Sequence, residues 1–150
     1  MSGVRKKDQT EHRFTTLDIV LDMYDHTTTV TANPKFDKCP KIRDRIDDEA
    51  ALIYHYCRSA NEDYDNRDID ESLMRLNLEN EAIRRCMWLK TYIRLAQKKL
   101  HLRAKKVIYW NKVVNKSMDA IKKWIVSEKK IYRLNRWYES LWEGRDDEKK

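Results

Sequence analysis

No glycine lies between residues 4 and 143, and the only two prolines, Pro34 and Pro40, stand close together. Glycine and proline are the strongest punctuators of local structure, so a chain this poor in them has few places to turn and is committed to long helices. The same scarcity removes the glycine-rich loops that cradle phosphates in nucleotide-binding proteins. With 150 residues, 41% hydrophobic and 38% charged, the chain has the length for one domain with a real core and the composition of long amphipathic helices.

The elements follow from the spacing of apolar residues. Residues 1–13 are polar and of mixed charge, and are expected to be a disordered tail. A first helix is expected to open near Thr15–Thr16, where hydroxyls can cap and Asp18 favours the first turn. Leu17, Val20, Leu21 and Tyr24 continue at helical spacing. The β-branched run Thr27-Thr28-Thr29-Val30-Thr31 weakens the helix, and Asn33-Pro34 ends it. Pro40 suits the first turn of a second helix, whose stripe is Ile42, Ile46, Ala50, Ile53, Cys57 and Ala60. An acidic connector, Asn61 to Asp68, leads to a third helix from about Asp70 to Leu100. His101 to Ala104 has room only for a tight turn. The fourth helix then presents Val107, Trp110, Val114, Met118, Ile121, Ile125 and Tyr132 on one face.

The third helix carries two apolar rows. One is Ile69, Leu73, Leu76, Ile83 and Met87; the other is Leu78, Ala82, Cys86, Leu89, Ile93, Ala96 and Leu100. Either they form one wide buried face, or one row faces the core and the other a second subunit. The resulting fold class is all-α: an antiparallel up-down four-helix bundle over residues 14–130, with an extended C-terminal helix and charged tail over 131–150. In that extension Leu134, Trp137, Tyr138, Leu141 and Trp142 form a short amphipathic stripe that either folds back on the bundle or docks in a partner groove. Trp88, Trp110 and Trp124 are expected as core or interface anchors.

Charge supplies the functional signal. Residues 84–136 hold seventeen Lys/Arg and only two acids, Asp119 and Glu128, whereas residues 1–70 sum to −4. Concentrated like charge repels itself unless an anion offsets it, and nucleic-acid phosphate is the commonest such partner. On a wheel of about 100° per residue, Lys112, Lys116, Lys123 and Lys130 fall within about 20° of Lys105. This lysine ridge lies opposite the apolar face. A second concentration, Lys98, Lys99, Arg103, Lys105 and Lys106, brackets the turn before the fourth helix. Arg85 and Arg94 add to the basic surface of the third helix. Lysine acts as a point charge, so the expected binding is to phosphate, with low sequence specificity for RNA, DNA or a hybrid. A solvated face, a membrane surface and an acidic protein partner are the alternatives.

Catalytic chemistry finds no footing. His12, His26, His55 and His101 are scattered without metal-ligand spacing. Asp44, Asp47, Asp48 and Glu49 could attract Mg²⁺, but a solvated acidic face explains them equally. Cys39, Cys57 and Cys86 have no paired spacing and suit buried thiols in a reducing compartment. No apolar run reaches membrane-span length and no signal segment opens the chain. The expectation is a non-enzymatic cytoplasmic protein with no cofactor and no membrane partner.

Several stretches together resemble a known family. They are Arg13-Phe14-Thr15-Thr16-Leu17-Asp18 opening the first helix, Leu95-Ala96 to Leu100 closing the third, the basic turn, Tyr109-Trp110, and Lys123-Trp124-Ile125. The pattern, over roughly residues 13–128, resembles the small four-helix bundles that include the accessory variability determinant (Avd) of diversity-generating retroelements and the ribosomal-RNA intervening-sequence proteins. That resemblance implies a ring-like homopentamer with basic surfaces, binding nucleic acid and a reverse transcriptase that it supports in mutagenic cDNA synthesis. The second row of the third helix would then help form the ring, with Leu78, Leu89, Ile93 and Trp124 at the subunit contact. Lys122 and Lys123 stand where Avd-like members tend to carry small residues before the Trp.

Overall fold

The computed structural model describes the backbone of residues 2–62 and 68–148, and the side chains of residues 15–62 and 68–143. The described residues form four α-helices and one short 3₁₀ helix, with no strand among them. The helices are α1 (Ser2–Thr31), α2 (Pro40–Ala60), α3 (Ile69–Leu100) and α4 (Ala104–Glu148), with the 3₁₀ turn at Pro34–Lys38. Each helix packs on its neighbours in the chain, and α1 also packs on α4, closing a cycle.

Helix α1 begins at Ser2, ahead of the Thr15–Thr16 start read from the sequence. The side chains of the expected tail, residues 1–13, lie outside the described set, as do residues 63–67 of the acidic connector. The threonine run does not end the helix early. Thr28 and Thr29 donate their hydroxyls to the carbonyls of Tyr24 and Asp25, at 3.1 and 2.8 Å, which satisfies those groups within the helix. Thr27 is buried and accepts a hydrogen bond from the Trp110 indole at 3.1 Å. Thr31 donates to Asp47 of α2 at 2.7 Å. The run that reads as weak helix is thus the set of polar anchors joining α1 to α2 and α4.

Asn33 and Pro34 do stop the helix. The Asn33 side chain accepts from the Lys35 amide at 3.0 Å and starts the 3₁₀ turn. That turn drives Phe36 into the interior, where it is fully buried against Trp110. Asp68 caps α3 by accepting from the amides of Asp70 and Glu71. At the other end of α3, His101 takes the left-handed conformation at φ 51°, the conformation that ends a helix and redirects the chain.

The buried seam of α4 reads Val107, Trp110, Val114, Ser117, Ile121, Trp124, Glu128, Ile131, Asn135. Its steps alternate between three and four, the 3.5-residue period of supercoiled helices. Met118 and Tyr132, expected on this face, are only half-buried. Ser117, Glu128 and Asn135 take seam positions instead. In α3 the row Ala82, Cys86, Leu89, Ile93, Ala96 and Leu100 is the buried one. The other row divides: Leu76 is buried in the same core and Ile83 packs against it, whereas Leu73 and Met87 are exposed.

A polar layer crosses the α3–α4 contact. The Arg75 guanidinium is fully buried and paired with the buried Glu128 carboxylate. It also donates to the Ser72 hydroxyl at 3.3 Å, and Asn135 donates to the same hydroxyl at 2.9 Å. An ion pair taken out of water needs its remaining hydrogen bonds satisfied to be tolerated, and the serine and asparagine supply part of that.

Candidate nucleic-acid interface

Because the α4 seam holds to one side, the opposite side is left to solvent. Lys105, Lys112, Lys116, Lys123 and Lys130 are all exposed. None of them enters a salt bridge with a described side chain. Of the two acids in this basic stretch, Glu128 is buried and spent on Arg75, which leaves Asp119 as its one exposed carboxylate. The ridge is therefore more strongly cationic than the sequence count suggests.

The cations of α3 divide. Arg94, Lys98 and Lys99 are exposed and lie near the turn. Arg85, grouped with the binding residues on charge alone, is committed within the fold. Its guanidinium pairs with Glu49 at 3.2 Å and Glu81 at 3.1 Å. Burial acts to lower its pKa, and the two carboxylates override that, holding it above the ordinary arginine value. A guanidinium engaged by two carboxylates has little left to offer a phosphate, so Arg85 leaves the candidate set. Glu49 correspondingly leaves the solvated acidic face expected of α2: it is buried. Asp47 is held by Thr31, and burial pushes its pKa up. Among the described residues no three His, Cys, Asp or Glu side chains converge as metal ligands.

The expected subunit contact is also redrawn. Leu89 and Ile93 are fully buried inside the single chain and Trp124 nearly so, with Leu78 packed partly buried at the edge of the same core. The first three cannot meet a second copy without opening the fold. Among the apolar groups that do face outward are Met87 and Trp88 on α3, and Leu134, Trp137, Tyr138, Leu141 and Trp142 on α4. Trp88, expected as an anchor, is 48% exposed and stacks on Tyr92 at 6.0 Å. The C-terminal stripe does not fold back, because α4 runs unbroken to Glu148.

At the α3–α4 turn the structure adds something the sequence reading lacked. A cavity of about 670 Å³ opens between the end of α1, the 3₁₀ turn and the start of α4. Its cations are Lys35, Arg103, Lys105 and Lys106, and no carboxylate lines it. Phe36 and Trp110 lie edge-to-face with centroids 6.4 Å apart, and His26 and Tyr109 do so at 5.2 Å. His26 Nε2 is buried without a hydrogen-bond partner, and burial holds the imidazole pKa below its ordinary value. Lys35, Phe36 and His26 lie more than 60 residues before the basic turn in sequence, so no spacing pattern links them to it. Only the packing of α1 on α4 does.

No protein-family model, curated protein or solved structure matches this chain.

Proposed function

We propose that the four helices form an antiparallel up-down bundle serving as a non-catalytic, low-specificity nucleic-acid-binding protein of the cytoplasm. The supporting observation is the ridge: five exposed α4 lysines in one direction, unpaired with any described acid. Cross-helix bonds favour the antiparallel arrangement. Ser72 near the start of α3 meets Asn135 late in α4, whereas Lys90 further along α3 meets Asn115 earlier in α4. No described helix is long and apolar enough to cross a membrane.

On the resemblance noted above, the phosphate ligand is RNA, DNA or a hybrid, and the protein acts as an oligomeric, Avd-like accessory to a reverse transcriptase, a homopentamer in that family. The exposed stripe Leu134, Trp137, Tyr138, Leu141 and Trp142 favours a second reading as a self-assembling scaffold or adaptor, since contiguous exposed apolar surface marks interaction sites. Light scattering of the purified protein, with absorbance at 260 and 280 nm read on the same peak, separates the two. The first reading expects co-purifying nucleic acid that high salt removes. A clean protein peak that also fails to shift added RNA leaves the second.

A further inference from the structure

The cavity at the α3–α4 turn differs from the ridge in kind. The ridge is a row of flexible cations in open solvent, suited to many phosphates in series. The cavity is a concave site lined by cations together with the rings of Phe36, Tyr109 and Trp110. We propose that it binds one nucleoside phosphate, the phosphate held among Lys35, Arg103 and Lys106 and the base laid against Tyr109.

Three independent features converge on that ligand. First, four cations and no carboxylate line the cavity, so its interior repels cations and attracts a compact anion. The Asn33 cap on the Lys35 amide fixes the backbone from which that side chain reaches the cavity. Second, the start of α4 at Ala104 stands beside these cations. The first amides of any helix lack acceptors within it, and they carry the positive end of its dipole. Third, Tyr109 is 59% exposed and braced at 5.2 Å by His26, which leaves a phenol face available. Aromatic faces of this kind stack bases with little regard to sequence. A cavity for inorganic phosphate alone would have no use for that face, and one for an apolar ligand would have no use for four cations.

The volume, about 670 Å³, falls within the range of small-molecule sites. His26 supplies an internal reporter. Burial holds its pKa below the ordinary histidine value, and an anion arriving beside it would favour the imidazolium and raise that pKa.

The proposal deepens the nucleic-acid reading at a site that reading does not require. Its ligand has two sources: a free nucleotide, or one unit of a bound single strand. Full-length protein is titrated with AMP, ribose 5-phosphate, inorganic phosphate and a 5′-phosphorylated oligonucleotide, by calorimetry and by NMR of the His26 ring. Three forms are compared: native, the cavity variant Lys35→Ala/Arg103→Ala, and the ridge variant Lys116→Glu/Lys123→Glu. The expected result is an upward shift of the His26 pKa with AMP, kept in the ridge variant and lost in the cavity variant. AMP should bind roughly tenfold tighter than ribose 5-phosphate, a preference that Tyr109→Ala removes.

A His26 shift with AMP but not with the oligonucleotide assigns the site to free nucleotide. A shift with both assigns it to a strand unit. Equal binding of phosphate and AMP overturns the proposal, because the base then contributes nothing. Oligonucleotide binding that leaves His26 unmoved, with no AMP binding, overturns it while leaving the ridge intact. Failure of the oligonucleotide alone, with AMP bound, instead removes the ridge reading and keeps the cavity.

Discussion

Single residues decide what the interior can hold. Arg75, Glu128, Ser72 and Asn135 place charge and hydrogen bonds at seam positions that leucines would fill in a plain helical core. Removing one partner of a buried ion pair strands the other away from water. Glu128→Ala is therefore expected to lower unfolding free energy by about 3–5 kcal/mol, read from urea unfolding by circular dichroism. Replacing both Arg75 and Glu128 by apolar residues should cost much less, because no charge is then left behind. The cysteines make a second case. Burial pushes the Cys86 thiol up to about 12 and the Cys57 thiol higher still, with Cys86 and Glu79 adding to the Cys57 shift. Cys39 is half-exposed. A chromogenic disulfide reagent at pH 8 should consume one thiol quickly and the other two only as denaturant opens the fold. Three equivalent fast thiols would mean the α2–α3 core is looser than described.

Helices were the most legible level in the sequence, and polar residues set its limit. Sparse glycine and proline, together with periodic apolar residues, locate all four helices to within a few residues at most ends, α1's start excepted. Where reading failed, it failed on residues classed by type instead of by partner. Ser117, Glu128 and Asn135 complete the α4 seam although an apolar pattern does not include them, and Leu89, Ile93 and Trp124, expected at a subunit contact, face inward. A second apolar row on one helix does not say which row is inside, since that depends on which helices flank it. The lysine ridge, in contrast, was readable from angle alone, because solvent exposure requires only that nothing packs there. The far end of α4 is a prediction at this level. From Arg136 to Glu143 every side chain is exposed, so truncation after Arg136 should leave the urea midpoint nearly unchanged. If that stripe mediates self-association, the same truncation should lower the scattering mass. A large loss of stability would instead show that the segment packs on its own chain.

At the scale of the molecule, fold and charge divide the work. Some acids are engaged within the chain: Glu49 and Glu81 by Arg85, Asp47 by Thr31, and, at the surface, Asp37 by Arg43. The lysines of the second half are not matched by them, and they run outward along one helix into the cationic turn. The cavity at that turn is not legible in the sequence because it joins residues 26–36 to residues 102–110, which only the packing of α1 on α4 brings together.

The central claim, that the α4 ridge binds a phosphate backbone, is tested most directly by the salt dependence of RNA affinity. Binding of a fluorescent single-stranded RNA is measured by anisotropy across a salt series, for the native protein and for Lys112→Gln/Lys116→Gln/Lys123→Gln. If each ridge lysine neutralises one phosphate, log K should fall with log salt at a slope of about −0.7 per contact. The triple variant should flatten that slope by about 2 while keeping native helicity. An affinity indifferent to salt, or a slope unchanged in the triple variant, would contradict the assignment.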